Sequence, residues 1–455
     1  MHNANPAPLA ARRTGPLTGT GQVPGDKSIS QRALILGALA QGQTLITGLL
    51  ESGDVHSTAG ALRCLGAELI PEGPGRWQVK GTGVGNWRSP EAELDFGNSG
   101  TGSRLVMGAM ATTPITAIFT GDASLRSRPM ARVLDPLKAF GASYQGQGPE
   151  ALMPLTLRGA KDAQAVSVHV ATASAQVKSA LMLAALNAHG VSKITQDQHT
   201  RDHTEKMLTA FGAKISVSPF RRVDASELGD EITVEGPAEL IGCSVEVPRD
   251  PSSAAFLIVA ALIVPGSEIT LPGILLNERR SGLIKTLLEM GAQIEVANRR
   301  NSGGECIGDL VVRHSNLTGV TVPQSRAPSM IDEYPVLAVA AAFAKGQTKM
   351  LGLEELRVKE SDRLAAIVEG LAVNGVPTEV IHDDLTVVGL GADGVPGGGL
   401  VATHMDHRIA MSFLTMGLAS QKPVAVDDVA MIATSFPEYL GLMQGLGAQY
   451  SERLV

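Results

Sequence analysis

Apolar and polar positions along the chain follow one pattern that recurs six times. Each unit contains a helix of small apolar residues, a short strand-like run and a second helix that ends in a glycine turn. The turns are LGAEL, FGASY, FGAKI, MGAQI, NGVPT and LGAQY. Their glycines stand at positions 66, 141, 212, 291, 375 and 447, with spacings of 75, 71, 79, 84 and 72 residues. Glycine commonly ends a helix, but six occurrences at near-equal spacing indicate an internal repeat.

A matching small-residue helix precedes each turn, so that each unit is predicted to run strand–helix–strand–helix–strand. These helices are ISQRALILGALAQG, TGSRLVMGAMA, AQVKSALMLAALNAHG, SSAAFLIVAALIVPG, PVLAVAAAFAKG and HRIAMSFLTMGLAS. Six such units exceed a single core, which favours a division into three plus three. The segment CSVEVPRDPSSAAF near the midpoint is similar to the early segment GQVPGDKSISQRAL. Pro24 and Pro248 would therefore be hinge positions if the chain crosses twice between two domains.

Composition places the chain among globular proteins. Hydrophobic residues make up 44% and charged residues 18%, and the net charge of −7 argues against a nucleic-acid-binding protein. The three cysteines, Cys64, Cys243 and Cys306, lie far apart, which suits a reducing compartment and favours neither disulfides nor a zinc site. No apolar run is long enough to span a bilayer, and no secretory signal is recognisable. We expect a cytoplasmic protein that is not bound to membranes.

The segment VPGDKSISQR, residues 23–32, tests whether the chain carries a nucleotide-binding loop. A Walker loop needs a glycine before its Lys-Ser pair, because backbone N–H groups there surround the phosphates. Asp26 occupies that position in this chain, and its carboxylate would repel the phosphate. The segment is therefore not a Walker loop, but it can still bind phosphate in another geometry.

Unusual polar residues cluster where the small-residue helices begin and in the loops between helices. The segments are DFGNSGTGSR, GDASLRSRPM, TASAQVKS, TRDHTEK, SMIDEYP, RVKESDR and THMDHR. Taken singly, Ser and Asp before a helix are ordinary N-caps, and most Arg and Lys are simply solvated. Helix N-termini nevertheless favour anions, and arginine grips phosphate or carboxylate bidentately. If several of these helix starts converge, they form a site for two or three anionic groups.

Two carboxylates stand out within this basic set. Asp332 lies in an otherwise apolar segment, and Glu360 lies between Lys359 and Arg363. Asp332 could be a helix cap, and Glu360 could form an i,i+3 ion pair with Arg363. The functional alternative is a general base and a general acid held near cations. The HMDH segment at 404–407 is more typical of packing or capping histidines than of a metal site, because no third ligand is near.

The chain resembles the 5-enolpyruvylshikimate-3-phosphate synthases, enolpyruvyl transferases of the shikimate pathway that supply aromatic amino acid biosynthesis. The resemblance rests on PGDKSISQR, LDFGNSGTG, GDASLRSRPM, SAQVKSA, RVKESDR, DHRIAMSF and TSFPEY, between residues 24 and 439. SAQVKSALMLA, RDHTEKML and SMIDEYP resemble the bacterial group called class II. The resemblance implies an α/β fold of two inside-out barrel domains, each with three βαβαββ units. The domains would be 1–23 plus 248–455, and 24–247.

The resemblance also implies the substrates, shikimate-3-phosphate and phosphoenolpyruvate, and the residues that bind them. Shikimate-3-phosphate would contact Lys27, Ser28, Arg32, Ser174, Gln176, Arg201, Asp332 and Lys359. Phosphoenolpyruvate would contact Lys27, Gly100, Arg128, Gln176, Arg363 and Arg408. Asp332 would take the proton of the 5-hydroxyl, Glu360 would deliver and later remove the proton at the methylene carbon, and Lys27 would stabilise developing negative charge. The implied scheme requires no metal and no cofactor, and we expect a monomer.

Two positions depart from the family pattern. Gln31 stands where relatives usually have His, which could alter the packing behind Arg32. Thr434 stands where many relatives have a Lys that contacts phosphoenolpyruvate. The family is also the target of glyphosate, which occupies the phosphoenolpyruvate site, and Gly100 would leave room for it.

Two alternatives remain at this stage. A sister enzyme on the same fold transfers enolpyruvyl to UDP-N-acetylglucosamine, but it opens with Lys-Asn and uses a loop cysteine. This chain has Lys27-Ser28, and no cysteine stands between Cys64 and Cys243. A non-catalytic phosphate-binding repeat protein would keep the arginines without needing Asp332 and Glu360, and the fold alone does not exclude it.

Overall fold

The computed structural model describes residues 7–171, 174–222, 228–302 and 305–452. Contacts between Cα atoms divide the chain into two units. The terminal unit comprises Met1–Pro24, Arg249–Asn301 and Cys306–Val455, and the middle unit comprises Gly25–Pro248 and Ser302–Glu305. The sequence placed the boundaries one residue earlier, before Pro24 and before Pro248, and did not separate Ser302–Glu305 from its neighbours.

The middle unit and the strands before it contain the first three repeats. Two strands precede the first repeat, β1 (Leu9–Arg12) and β2 (Thr18–Thr20). The first repeat has α1 (Lys27–Leu39), β3 (Gln43–Thr47), α2 (Gly53–Cys64), β4 (Glu68–Gly73) and β5 (Arg76–Lys80). The second repeat has β6 (Leu94–Asp95), α3 (Gly100–Met110), β7 (Thr116–Thr120), α4 (Ala123–Arg126), α5 (Ala131–Leu137), β8 (Ser143–Gln147) and β9 (Leu152–Arg158). The third has β10 (Ser167–Val170), α6 (Ala175–Ala185), β11 (Gly190–Gln196), α7 (His203–Ala210), β12 (Ile215–Phe220) and β13 (Gly229–Gly236), followed by β14 (Ser244–Glu246).

The terminal unit contains the other three repeats. The fourth has α8 (Pro251–Ile263), β15 (Glu268–Leu275), α9 (Gly282–Glu289), β16 (Gln293–Ser302) and β17 (Glu305–Arg313). The fifth has β18 (Thr321–Val322), α10 (Tyr334–Ala342), β19 (Lys345–Met350), α11 (Arg363–Val373), β20 (Thr378–Ile381) and β21 (Asp384–Leu390). The sixth has β22 (Leu400–Val401), α12 (His407–Gly417), β23 (Val424–Val426), α13 (Tyr439–Leu446) and β24 (Gln449–Ser451). Short 3-10 segments lie at Lys138–Phe140, Gln324–Ser329, Glu354–Val358 and Ala430–Thr434.

The described strands form six four-stranded sheets, one for each repeat. Their strand orders are β14-β3-β5-β4, β6-β7-β9-β8 and β10-β11-β13-β12 in the middle unit, and β2-β15-β17-β16, β18-β19-β21-β20 and β22-β23-β1-β24 in the terminal unit. In the third repeat, β10 pairs parallel to β11, whereas β13 runs antiparallel to both of its neighbours. The sequence pattern alone predicted three strands per unit, one too few. Strands such as β20, with three of four residues exposed, carry little apolar signal.

The sheet pairings show why the chain leaves the terminal unit after Pro24 and returns to it at Arg249. The opening strand of the first repeat is β14, which pairs parallel with β3. The opening strand of the fourth repeat is β2, which pairs parallel with β15. The sixth repeat takes a strand from the N-terminus, because β1 lies between β23 and β24. Each unit is therefore completed by a strand distant in sequence.

The small-residue helices form the interior of each unit. In the terminal unit, every residue of α8, α10 and α12 is buried, and the three helices pack against one another. In the middle unit, α3 and α6 approach so closely that a Cβ on Gly108 would lie 2.3 Å from the carbonyl oxygen of Ala180. Sheet strands such as β3 alternate exposed and buried residues, as expected when one face packs on helices. Helices inside and sheets outside explain the scarcity of bulky aromatic residues.

None of the helices in the described part of the chain combines the length and the apolar composition that crossing a bilayer requires.

Candidate active site

The first group of predicted residues lies at the start of α1 in the middle unit. Asp26 caps this helix, since its side chain accepts a hydrogen bond of 2.8 Å from the backbone N–H of Ile29. Lys27 is the first helical residue, and its Nζ lies 2.9 Å from Oδ2 of the buried Asp54. The Lys27 side chain keeps 19% of its exposure. Its ammonium group is thus oriented by a carboxylate and remains accessible to an anion.

Arg32 lies one turn further along α1 and is almost fully buried. Its Nη1 donates to the carbonyl oxygen of Ser28 at 3.0 Å. Its Nε donates to Oγ1 of Thr204 at 2.7 Å, and its Nη2 donates to Oγ of Ser179 at 3.0 Å. The guanidinium group therefore links α1 to α6 and α7, and its orientation depends on two hydroxyl groups that the sequence did not single out.

The start of α6 brings Ser174 and Gln176 together with α3. Ser174 caps α6 through a 3.5 Å bond from the N–H of Val177. The Oε1 atom of Gln176 accepts from Nη1 of Arg104 at 2.5 Å, and its Nε2 atom donates to Oγ1 of Thr101 at 2.9 Å. The sequence assigned no role to Arg104, although it belongs to the basic residues at helix starts. The structure places it on the amide predicted to contact both substrates.

Gly100 begins α3 beside Arg128. A Cβ added at Gly100 would lie 2.9 Å from Nη1 of Arg128, which is closer than real Cβ contacts. Nη2 of Arg128 donates to Oδ1 of Asn98 at 2.6 Å and to Oγ of Ser124 at 3.1 Å. Asn98 in turn donates to Oδ2 of Asp122 at 2.8 Å. The bare backbone of Gly100 and a fixed guanidinium group thus lie side by side, as a small anion would require.

Arg201 lies in the loop before α7 and is half-buried. Its carbonyl oxygen accepts a 3.0 Å hydrogen bond from Nζ of Lys178 on α6. The same Nζ lies 2.5 Å from Oε1 of Glu205. The loop is therefore attached to a buried ion pair, a feature that the sequence motifs did not reveal.

The terminal unit contains the two predicted acid–base carboxylates, and both contact Arg363. Nη1 of Arg363 donates to Oδ1 of Asp332 at 3.1 Å, and Nη2 lies 2.5 Å from Oε2 of Glu360. Asp332 does not cap a helix, since α10 follows Glu333. Glu360 does form the i,i+3 ion pair with Arg363 that the sequence offered as an alternative to a catalytic role. One guanidinium group holds both carboxylates.

Asp406 completes the environment of Arg363 and also fixes Arg408. Its Oδ2 atom accepts from Nε of Arg363 at 2.8 Å, and its Oδ1 atom accepts from the backbone N–H of Arg408 at 2.9 Å. Burial alone would lower the pKa of the Arg363 guanidinium, but Asp406, Glu360 and Asp332 raise it well above its usual value. Burial would raise the pKa of Asp406, yet the charge of Arg363 holds it below its usual value. Both groups are therefore charged at neutral pH.

Arg408 also reaches the residues around Asp332. Its Nη1 donates to the carbonyl oxygen of Asp332 at 3.2 Å and lies 3.8 Å from Oε1 of Glu333. Lys359 is half-buried next to this group. Burial lowers the pKa of the Lys359 ammonium, and the nearby charge of Asp332 offsets this only in part. The predicted residues of the terminal unit thus form one contiguous charged cluster.

The two departures from the family pattern have defined partners. Gln31 is buried and donates from Nε2 to Oγ of Ser99 at 2.9 Å. Ser99 is the N-cap of α3, so Gln31 supports the helix start that carries Gly100. Thr434 ends a 3-10 segment, where its hydroxyl donates to the carbonyl oxygen of Met431 at 2.7 Å. Neither residue changes the carboxylate cluster.

Side chains that could bind a metal ion lie outside the Arg363 cluster. His404 is exposed, and its Nε2 lies 3.3 Å from Oε2 of Glu369. Among the described residues, Asp202, His203 and Glu305 are close enough to hold an ion. The ammonium group of Lys206 already lies 3.4 Å from Oδ2 of Asp202 and 3.0 Å from Oε2 of Glu305. It supplies the positive charge that these carboxylates need.

Comparison with known proteins identifies the family. The family model described as EPSP synthase (3-phosphoshikimate 1-carboxyvinyltransferase) matches residues 11–443. The chain belongs to the EPSP synthase family. It is 59% identical over 449 residues to the 3-phosphoshikimate 1-carboxyvinyltransferase of Afipia carboxidovorans, covering 99% of each chain. It is 57% identical over 448 residues to the enzyme of that name from Paracoccus denitrificans, covering 98% of this chain and 99% of that one.

Solved structures of EPSP synthases and related transferases share the fold. EPSP synthase from Acinetobacter baumannii superimposes with a TM-score of 0.84 at 37% identity, covering 98% of this chain and 99% of the other. The enolpyruvyl transferase NikO from Streptomyces tendae gives a TM-score of 0.73 at 18% identity with the same coverage, a likeness of fold alone. With the six repeated sheets, these findings confirm the predicted fold class.

Proposed function

We propose that the chain transfers the enolpyruvyl group of phosphoenolpyruvate to shikimate-3-phosphate and releases phosphate, the reaction for which its relatives are named. Relatives with that name are 54–59% identical over nearly the whole chain. They favour shikimate-3-phosphate over UDP-N-acetylglucosamine as the acceptor. The single structural observation that carries the catalytic proposal is the attachment of Asp332 and Glu360 to one guanidinium group, Arg363.

The proposed acceptor site is the set of residues assigned to shikimate-3-phosphate. These are Lys27, Ser28, Arg32, Ser174, Gln176, Arg201, Asp332 and Lys359. The phosphate group is matched by cations at helix starts, where N–H groups and the helix dipole add to the attraction. Support comes from the way Ser179 and Thr204 hold Arg32 and from the cap that Ser174 forms on α6.

The proposed donor site is the set assigned to phosphoenolpyruvate. These residues are Lys27, Gly100, Arg128, Gln176, Arg363 and Arg408. Planar guanidinium groups suit both the carboxylate and the phosphate of this substrate. Support comes from the open backbone at Gly100 beside Arg128 and from the 2.5 Å bond that links Gln176 to Arg104.

The proposed mechanism is addition followed by elimination. Asp332 accepts the proton of the 5-hydroxyl as its oxygen attacks the enol carbon, while Glu360 donates a proton to the methylene carbon. The resulting tetrahedral intermediate then loses phosphate as Glu360 removes a proton from the new methyl group, and the proton held by Asp332 passes to the departing phosphate. Lys27 stabilises the negative charge on the departing phosphate. Arg363 contributes by holding the two carboxylates in fixed positions.

Phosphate release tests the proposal directly. Purified protein is given phosphoenolpyruvate with either shikimate-3-phosphate or UDP-N-acetylglucosamine. We expect release only with shikimate-3-phosphate, and loss of release in Asp332→Ala and Glu360→Ala but not in Glu379→Ala, which changes an exposed carboxylate. Tight binding of both anions without release would instead favour a phosphate-binding repeat protein.

Further assignments extend this proposal. The motifs SAQVKSALMLA, RDHTEKML and SMIDEYP support membership of class II. Residues 172 and 173, which open the segment TASAQVKS, lie outside the described residues. We assign the enzyme to the cytoplasm as a monomer in which 1–23 plus 248–455 and 24–247 are separate domains. Light scattering coupled to size exclusion tests the monomer, for which we expect the mass of one 47.3 kDa chain.

A further inference from the structure

A buried ion pair in the middle unit joins two residues to which no role was assigned, Lys178 of the SAQVKSA motif and Glu205 of the TRDHTEK segment. Lys178 on α6 is fully buried, and Glu205 in the first turn of α7 is 5% exposed. Their charged atoms, Nζ and Oε1, lie 2.5 Å apart. Removing two charges from water is costly, and apolar replacements of such pairs are often neutral or stabilising. Stability alone is therefore a weak reason for this pair.

The pair has a contact that apolar residues could not make. Besides Glu205, the ammonium group of Lys178 donates to the carbonyl oxygen of Arg201 at 3.0 Å. Glu205 lies near the N-terminus of α7, where a negative charge is favoured, and it orients the Lys178 ammonium toward the loop. The backbone of Arg201 is thereby attached to the interior of α6.

A second pair lies directly beside the first. Ser179 follows Lys178, Thr204 precedes Glu205, and their hydroxyl oxygens lie 2.7 Å apart. Both oxygens accept from the guanidinium group of Arg32, at 3.0 Å from Nη2 and 2.7 Å from Nε. A guanidinium group has only donors, so these two hydroxyls fix its plane. The same two turns of α6 and α7 therefore hold Arg32 and Arg201.

We infer that the adjoining buried pairs Lys178–Glu205 and Ser179–Thr204 form a clamp that positions Arg201 and Arg32 for the phosphate group of shikimate-3-phosphate. The inference rests on the proposed assignment of these two arginines to that substrate. The four clamp residues are positioning residues and do not touch the substrate. A clamp that fixes two cations reduces the conformational entropy lost when the phosphate binds.

Two double variants test the clamp. Lys178→Met/Glu205→Leu keeps the pair's volume but removes the donor to Arg201, whereas Ser179→Ala/Thr204→Val removes both acceptors for Arg32. Each variant removes hydrogen bonds that orient one of the two cations, so we expect KM for shikimate-3-phosphate to rise about tenfold in each, which corresponds to about 1.4 kcal/mol. KM for phosphoenolpyruvate and kcat should stay near wild-type values in both variants. The thermal unfolding midpoint should stay near the wild-type value in Lys178→Met/Glu205→Leu and should fall in Ser179→Ala/Thr204→Val, where buried donors of Arg32 lose their acceptors. Thr204→Ser keeps the hydroxyl that accepts from Arg32 and should leave KM near the wild-type value.

Matched controls separate the clamp from a general effect on the fold. Lys214→Gln/Glu235→Gln removes an exposed ion pair of the same unit, with side chains 77% and 51% exposed, and should leave both KM values unchanged. A folded clamp variant with an unchanged KM for shikimate-3-phosphate, or an equal rise in both KM values, overturns the inference. The hydroxyl variant decides the question if the apolar variant does not fold.

Variants of the arginines distinguish a failure of the inference from a failure of the proposed function. If Arg201→Met and Arg32→Met leave KM for shikimate-3-phosphate unchanged, the assignment of these arginines is wrong, and the clamp inference falls with it. If the arginine variants raise that KM and the clamp variants do not, only the clamp inference is wrong.

Discussion

Asp332 and Glu360 are 28 positions apart in sequence, yet both contact the same side chain, the buried guanidinium group of Arg363. A proton acceptor and a proton donor that share one cation cannot move independently. Arg363 is itself fixed by Asp406 through Nε. The reaction chemistry proposed here therefore depends on a side chain that carries out no proton transfer.

The planar fork of Arg363 is predicted to be irreplaceable by lysine. Arg363→Lys retains a positive charge, but one ammonium group cannot reproduce three directed contacts with Asp332, Glu360 and Asp406. We expect kcat/KM to fall by a factor on the order of 10² or more. Steady-state phosphate release measures this. Arg357→Lys, at a site where the arginine side chain is 38% exposed, is the matched control, and equal activities of the two variants would contradict the prediction.

The roles of the two carboxylates are predicted to differ in isotope exchange. Glu360→Gln and Asp332→Asn should each lower kcat by about 10²–10⁴, the usual contribution of general acid–base catalysis. Only Glu360 is proposed to add and remove the proton at the methylene carbon. Incorporation of deuterium from D2O into that carbon, followed by NMR during turnover, should therefore be disproportionately lost in Glu360→Gln. Greater loss in Asp332→Asn would reverse the two assignments.

The lowered pKa of Lys359 predicts an alkaline limit to acceptor binding. Burial favours the neutral amine, so Lys359 loses its proton at a lower pH than an exposed lysine does. As pH rises through that lowered pKa, the positive charge disappears, and kcat/KM for shikimate-3-phosphate should fall. Lys359→Arg keeps its charge throughout, so the fall should move to higher pH. An unmoved alkaline limb would mean that another group sets it.

Much of this architecture could be predicted from the sequence, because the structure of each repeat requires particular residue types at particular positions. Small residues are needed where the buried helices pack closely, and the six turn glycines are needed because each has a positive φ. Gly108 against Ala180 is one example of the close packing. The pattern alone missed the fourth strand of each sheet, because short, exposed strands such as β20 bury few side chains.

The site was only partly readable for a different reason. Arg32 and Asp332 lie in distinctive motifs, so the family resemblance located them. Their partners Thr204 and Asp406 also lie in quoted motifs, TRDHTEK and DHRIAMSF, but each resembles an ordinary residue at a helix start, so no role was assigned to either. Only the fold brings Thr204, 172 positions away, to Arg32.

Space at Gly100 is predicted to control donor binding. A Cβ there would lie 2.9 Å from Nη1 of Arg128 and 3.7 Å from Nη1 of Arg104, so the Arg128 guanidinium must shift. Helix α3 itself tolerates alanine, which favours helices more than glycine does, and the protein should fold normally. Because crowding of this kind typically costs 1–3 kcal/mol, we expect Gly100→Ala to raise KM for phosphoenolpyruvate about tenfold. KM for shikimate-3-phosphate should stay unchanged, and glyphosate should inhibit more weakly.

Gly60→Ala, at a position where an added Cβ meets nothing within 4 Å, is the matched control. Unchanged values of KM and of inhibition in Gly100→Ala would show that Arg128 moves without consequence and that Gly100 does not shape the donor site.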